Sequence, residues 1–295
     1  MIPNIELTKV SVIIPNYNYA AYVSEAIRSV LAQTYSNIEI IVVNNGSEDN
    51  SMEVLSEFGD AIVLINQSNK GQSGARNSGI EKSTGGLIAF LDADDTWEPT
   101  KLEKQILLIN DATQLIYCGI SSFDNESGIT LSIHMPKFKG SCTSEFLANP
   151  GVAVVLGGES TVLITRELVD KVGKFDTSLS ISAGWDFYRR CSLQTNFEFV
   201  PEILTNYRMH GKNMSLMSRE RIGDIRNSFY RLASDKKGSF GLRDLGLGFA
   251  KLEWSFLKTF LRLKSPIKLI LELCSLPYFL LKLILVRLLG GSNGL

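Results

Sequence analysis

The 295-residue chain is poor in the residues that mark several common protein classes. It has four cysteines, Cys118, Cys142, Cys191 and Cys274, widely scattered and with no CxxC pair. It has two histidines. That combination argues against a structural zinc site and against a disulfide scaffold, and it fits a reducing cytoplasm. No charge of one sign is in excess, because the formal net charge is −1. A duplex binder needs a basic face, since phosphate contacts dominate such affinity. The start, residues 1–9, lacks a basic stretch followed by an apolar core, so no secretory signal is read there. There is no internal repeat and no low-complexity tract. With 44% hydrophobic and 21% charged residues, the composition is globular rather than disordered. The length suits one large α/β domain, or one domain with an appendage.

The tail is the most apolar region, yet it lacks an uninterrupted run. Residues 267–289 are mainly Leu and Ile, broken by Lys268, Glu272, Lys282 and Arg287. At about 100° per residue these charges fall near 0°, 40°, −40° and 100°, which is one face of a helix. A spanning helix needs roughly 20 apolar residues with few charges. The pattern predicts an amphipathic helix, bent or broken near Pro277. Two readings stay open: a helical hairpin packed on this chain or on a second copy, and a helix lying in a membrane surface. The expected location is therefore cytoplasmic, with the tail as the candidate contact to the inner face of the cytoplasmic membrane. The predicted division is a domain over 1–235 and a helical region over 236–295.

The first half alternates strand and helix. Val10–Ile14 reads as a buried strand ended by Pro15, and residues 20–32 carry apolar residues at helical spacing. Strands follow at 38–43, 61–65 and 87–91, with helices at 51–58 and 74–82 between them. Pro99 and a capping box from Thr100 to Glu103 open the next helix. Repeated strand–helix units predict a mostly parallel sheet flanked by helices. The middle, 115–204, reads as mixed and loop-rich, with a helix from Gly184 to Ser192. In such sheets ligands bind outside the carboxyl ends of the strands. Three segments directly follow strands and should share one cleft: Asn16 to Asn18, Asn44 to Ser47, and Asp92 to Asp95.

The acidic loop Asp92, Ala93, Asp94, Asp95 carries the strongest chemical signal. Aspartates this close repel one another, and a cation relieves the cost. Hard carboxylate oxygens suit Mn²⁺ or Mg²⁺. The alternative is a solvated acidic turn before the next helix. Residues 69–79 form a loop rich in glycine and small polar residues that enters a helix, and helix N-termini attract phosphate. Arg76 can add a charged contact there. Alternatively, Arg76 pairs with one of the aspartates.

Seven ordered segments carry a family resemblance. They are Val12 to Asn18, Asn45 to Ser47, Gly74 to Ile80, Phe90 to Asp95, Gly173 to Asp176, Trp185 to Arg190, and Tyr207 to His210. In this order they resemble the successive motifs of family 2 glycosyltransferases, from about Leu7 to Ser218. The resemblance implies a GT-A fold, with a donor half at about 1–112 and an acceptor half at 113–235. It implies an inverting transfer from a nucleotide-sugar, with UDP expected, to a saccharide or lipid-linked hydroxyl in surface polysaccharide or glycolipid synthesis. It places Pro15, Tyr17 and Asn45 at the base, Arg76 at the diphosphate, and Asp92, Ala93 and Asp94 around donor and metal. Asp94 is the expected direct ligand of Mn²⁺ or Mg²⁺, with Asp92 near the ribose. His210 is expected beside the metal or diphosphate, and Trp185 against a sugar.

The sequence departs from that pattern twice. Asn44 and Asn45 stand where the family usually has an Asp pair or Asp-Asn, so a base-binding carboxylate has become an amide. Gly184 stands where the family usually has an aspartate as general base. Asp186 and Glu159 are the candidate carboxylates to replace it, although Asp186 lies about 200° round a helix from position 184. Trp97, Phe187 and Tyr188 are further aromatic candidates for sugar stacking, with core packing favoured for Phe187. His134, without a motif, reads as a surface histidine. A non-catalytic nucleotide-sugar-binding or assembly subunit remains the competing function.

Overall fold

The computed structural model describes residues 7–148, 154, 155, 158–179, 182–211, 213, 250 and 251. The tail helix and the boundary near residue 235 lie outside the described residues. Among the described residues, no helix is long and apolar enough to cross a membrane.

The strands are β1 (Val10–Asn16), β2 (Ile38–Asn45), β3 (Val63–Gln67), β4 (Leu87–Phe90), β5 (Thr96–Trp97), β6 (Thr113–Asp124), β7 (Thr130–His134), β8 (Leu163–Thr165) and β9 (Asn196–Met209). The helices are α1 (Val23–Leu31), α2 (Ser51–Ser56), α3 (Gly71–Lys82), α4 (Lys101–Ile106), α5 (Thr143–Ala148), α6 (Arg166–Val172) and α7 (Ala183–Ser192). One sheet runs in the order β3-β2-β1-β4-β8-β6-β9-β5, with β7 added beside β6. β3, β2, β1 and β4 are parallel to their neighbours, as the strand–helix alternation predicts. Beyond them the sheet is mixed: β4–β8, β6–β8, β6–β7 and β5–β9 are antiparallel, and β6–β9 is parallel.

β1 is buried on both faces, which is why its apolar run is continuous. Val10, Val12 and Ile14 join one core with Ile27 and Leu55, whereas Ile13 joins the other with Phe90 and Phe187. α1 places Val23, Ala26, Ile27 and Val30 in the first core at the spacing of one helical face. α3 approaches β1 closely at Gly79, where an added Cβ would lie 2.3 Å from Ile13 Cγ2.

Two local expectations are corrected. α4 begins after Thr100, but the Thr100 side chain makes no cap bond. Glu103 instead accepts from Thr34 Oγ1 at 2.6 Å, so tertiary contact displaces the capping box. The middle is not mainly loop, because β6 and β9 are its longest elements and pair along most of their length. Their register shifts between Cys118 and Gly119, and Pro201 and Glu202 fall in that break. A proline removes a ladder donor and is tolerated there.

In the strand order β3-β2-β1-β4, the chain reverses direction across β1. The crevice at the carboxyl ends of β1, β2 and β4 is thus the expected ligand position of such a sheet.

Candidate active site

One wall of this crevice is an amide network. Asn44 Nδ2 donates to Asn66 Oδ1 at 3.0 Å, and Asn16 Nδ2 donates to Ser47 Oγ at 3.2 Å. Asn45 Nδ2 donates to Asn69 Oδ1 and to the Gly71 carbonyl. Asn45 Oδ1 accepts from Gln67 Nε2 at 2.8 Å and from the Lys70 N–H at 3.0 Å. Asn45 is 3% exposed, and its amide is spent on stapling loops together. Asn45 thus forms part of the floor of the crevice. Pro15 is half-buried at the end of β1, and Tyr17 is 43% exposed just beyond it.

The acidic loop follows β4 and is tied down on all sides. Asp95 Oδ2 accepts from Ser160 Oγ at 2.6 Å, and the same oxygen of Ser160 accepts from the Asp92 N–H. Trp97 Nε1 donates to the Ser160 carbonyl at 2.7 Å. Trp97 is thus a buried brace, with the Lys101 ammonium 4.0 Å over its ring, and not a sugar platform. Ala93 packs its methyl into the first core. Burial pushes the Asp94 and Asp95 carboxyls up, and the charges of neighbouring aspartates add to that.

Two residues from the end of β9 complete this loop. His210 Nε2 lies 3.0 Å from Asp94 Oδ2, with Tyr22 stacked on its ring. Arg208 donates to the Asp94 carbonyl through Nε, and its Nη2 reaches Glu25 Oε2. Its backbone N–H donates to Asp95 Oδ1. Asn213 Nδ2 lies 3.5 Å from Asp94 Oδ2. Sequence reasoning missed Arg208, although it stands inside the motif that supplied His210, and missed Glu25 and Ser160, which no motif marks.

Asp94 and His210 suit a divalent cation: a hard oxygen and an imidazole face each other where carboxylate charge is uncompensated. Among the described residues, no group of three or more acidic, histidine or cysteine side chains forms a full cage. Mn²⁺ and Mg²⁺ need none, because they commonly take one or two protein ligands and complete their shells with phosphate oxygens and water. Asp92, two residues before Asp94, accepts from Arg76 Nη2 at 2.7 Å through Oδ1.

Arg76 is 2% exposed beneath the loop. Its Nη2 is also 3.1 Å from Glu159 Oε2. Burial would lower its pKa, but Glu159 and Asp92 more than offset this. Arg76 is thus a buried counter-ion for two carboxylates, the pairing the ion-pair alternative expects. Glu159, in the one-turn segment Gly158–Thr161, is pushed up by burial, with Arg76 opposing.

Asp186 is 2% exposed and paired with Arg189 at 3.1 Å and Arg190 at 2.9 Å on its own helix, the arrangement of a helix charge. Trp185 is half-buried, edge-on to Phe146, and its Nε1 has no partner among the described residues. Phe187 is core, stacked on Phe175. Tyr188 is buried, and its hydroxyl likewise has no partner among the described residues. His134 is exposed on β7.

The family model described as glycosyl transferase family 2 matches residues 11–168. An uncharacterised glycosyltransferase of Rickettsia prowazekii is 33% identical over 234 residues, 77% of this chain and 73% of that protein. The Escherichia coli protein named UDP-Glc:alpha-D-GlcNAc-diphosphoundecaprenol beta-1,3-glucosyltransferase WfgD is 34% identical over 164 residues. That match covers 55% of this chain and 62% of the relative, less than two thirds of its length. Among solved structures, S. aureus TarS 1-349 in complex with UDP-GlcNAc has a TM-score of 0.67 at 17% identity, covering 95% of this chain and 81% of that one. The Pyrobaculum calidifontis mannosyltransferase PcManGT, in complex with GDP-Man and Mn²⁺, has a TM-score of 0.61 at 16% identity, covering 97% and 88%. At such identities the structural likeness shows the fold alone, and that fold is GT-A.

Proposed function

Because this chain belongs to the family 2 glycosyl transferases, we propose that it moves a hexose from a UDP-sugar to a hydroxyl of a lipid-diphosphate-linked saccharide, with inversion at the anomeric carbon. The observation that carries this reading is the Asp94–His210 pair at 3.0 Å, held at the carboxyl end of the parallel strands. Donor and acceptor classes are supported by the E. coli relative, whose name gives UDP-Glc and a diphosphoundecaprenol-linked sugar. UDP-GlcNAc in the TarS complex supports the same donor class. A surface polysaccharide or glycolipid is the corresponding product.

The residues divide the work. Asp94 and His210 would hold the Mn²⁺ or Mg²⁺, as the Mn²⁺ complex of the Pyrobaculum neighbour supports. The bound cation would offset charge on the departing diphosphate. Arg208 fixes the loop backbone at Asp94 and the carboxylate of Asp95. Ser160 and Trp97 set the depth of the loop. Pro15 and Tyr17 offer the surface for the base above the amide floor, and Trp185 offers one for a sugar. The rigidity of this frame matters because positioning alone supplies much of the rate.

The test is UDP release from UDP-glucose and UDP-GlcNAc, with Mn²⁺ and a GlcNAc-diphospholipid acceptor. Turnover that needs Mn²⁺ and disappears in Asp94→Ala is expected. Donor binding without turnover on any saccharide acceptor would favour a binding subunit instead.

A further inference from the structure

The carboxylates near the cleft differ in what already holds them. Asp94 faces His210, and Asp95 takes bonds from Ser160 and from the Arg208 backbone. Asp92 has the short contact to Arg76, and Asp186 is held by two arginines on its own helix. Glu159 stands apart. Its Oε2 shares the Nη2 of Arg76 with Asp92, so one guanidinium serves two acids. Its Oε1 takes no part in that pair.

Oε1 occupies a telling position. An ideal Cβ built on Gly184 would lie 2.1 Å from Glu159 Oε1 and 3.1 Å from its carboxyl carbon. No side chain at 184 can coexist with this placement of Glu159. The carboxylate reaches, from the turn before β8, the space that a side chain on the first turn of α7 would otherwise fill. Residues four apart share a helix face, so Tyr188 presents on the face of Gly184. Its buried hydroxyl, unpartnered among the described residues, is a spare donor beside the Glu159 carboxylate.

We infer that Glu159 is the general base of the transfer, and that Gly184 is the gap that admits it. This rests on the transferase reading above. In the step, Glu159 Oε1 takes the proton of the acceptor hydroxyl. The acceptor oxygen bonds to the anomeric carbon as the bond from that carbon to the diphosphate oxygen breaks. The electron pair leaves with UDP, and the proton passes from Glu159 to water after release. Arg76 is a positioning residue, holding the other carboxylate oxygen.

The test uses the full chain with UDP-glucose, UDP-GlcNAc, Mn²⁺ and the GlcNAc-diphospholipid acceptor, with UDP binding measured in parallel by calorimetry. Glu159→Gln should lose roughly 100-fold or more in kcat, the usual contribution of a general base, while its affinity for UDP with Mn²⁺ stays near native. Glu159→Ser loses the same activity, and adding Gly184→Asp should return a large part of it by supplying the carboxylate from α7. Near-native kcat in Glu159→Gln would overturn the inference. So would a loss matched by lost UDP binding, which would make Glu159 only a support for Arg76. A double variant that binds UDP yet is no more active than Glu159→Ser would overturn the shared-space argument. A native protein that neither binds UDP nor releases it from either donor sinks the transferase reading itself, which is a different failure.

Discussion

On the β1–β3 side of the crevice, Asn16, Asn44, Asn45, Asn66, Gln67 and Asn69 hold one another through neutral amides. On the α7 side, Arg76, Asp92 and Glu159 form an ionic knot beside the Tyr188 hydroxyl, which has no partner among the described residues. The first wall is largely saturated and offers a ligand mainly its shape. The second carries two acids on one guanidinium, next to a loop whose carboxyls are pushed up by burial and by one another. A saturated surface gains little polar energy from a ligand, whereas uncompensated buried charge favours a cation or a proton strongly. Chemistry is therefore expected at the second wall and selection of the base at the first.

The largest effect should come from Asp94→Ala. Losing several kcal/mol of stabilisation at the departing diphosphate corresponds to roughly 10³-fold in kcat, read as UDP release in Mn²⁺. An equal loss from an amide-wall variant would erase the contrast. Next is Arg208→Met, which removes the guanidinium that donates to the Asp94 carbonyl, Asn125 Oδ1 and Glu25 Oε2. Leaving those acceptors without it costs about 2 kcal/mol, or roughly 4 °C in Tm for a chain of this size, measurable by calorimetry.

Asn45→Asp sharpens the comparison from the other side. The new carboxylate oxygen would face the Asn69 Oδ1 and Gly71 carbonyl oxygens that now accept from Nδ2. A cost of about 1–3 kcal/mol in denaturant unfolding is expected, with no gain in UDP affinity. Tighter UDP binding in that variant would mean that the amide is open to the base after all.

The smallest effect concerns Lys101. Its ammonium is buried against Trp97 and bonded to Gln105, and burial lowers its pKa to about 8 from the usual 10.5. The unfolded chain then holds the extra proton between these values, so this residue makes stability rise with pH from about 8 to 10.5. The slope reaches up to about 1.4 kcal/mol per pH unit, and Lys101→Met should lack it in unfolding curves taken at pH 8 and pH 10.

The parallel half was legible because its central strands are buried on both faces and read as continuous apolar runs, as in Val10–Ile14. β9 was not, because Pro201 interrupts its pattern and only the register shift against β6 accommodates it. In the site, the acidic loop and His210 stood out as residue types in motifs. Pairing of Arg76 with an aspartate was open from the sequence, but its link to Glu159 was not, and neither was the meeting of Asp94 and His210 across 116 residues. The pairing of Asp186 is local, since arginines three and four residues on close over it within the same helix. The role of Gly184 required three dimensions, because an absent Cβ is informative only once the atom occupying its space is known.

The central claim, that Asp94 and His210 form a cation-dependent donor site, is tested most directly by titrating UDP into native protein and Asp94→Ala, with and without Mn²⁺. The account predicts that Mn²⁺ tightens UDP binding to the native protein by roughly 30-fold or more, about 2 kcal/mol, and leaves the variant unchanged. Equal affinities in all four titrations would contradict it.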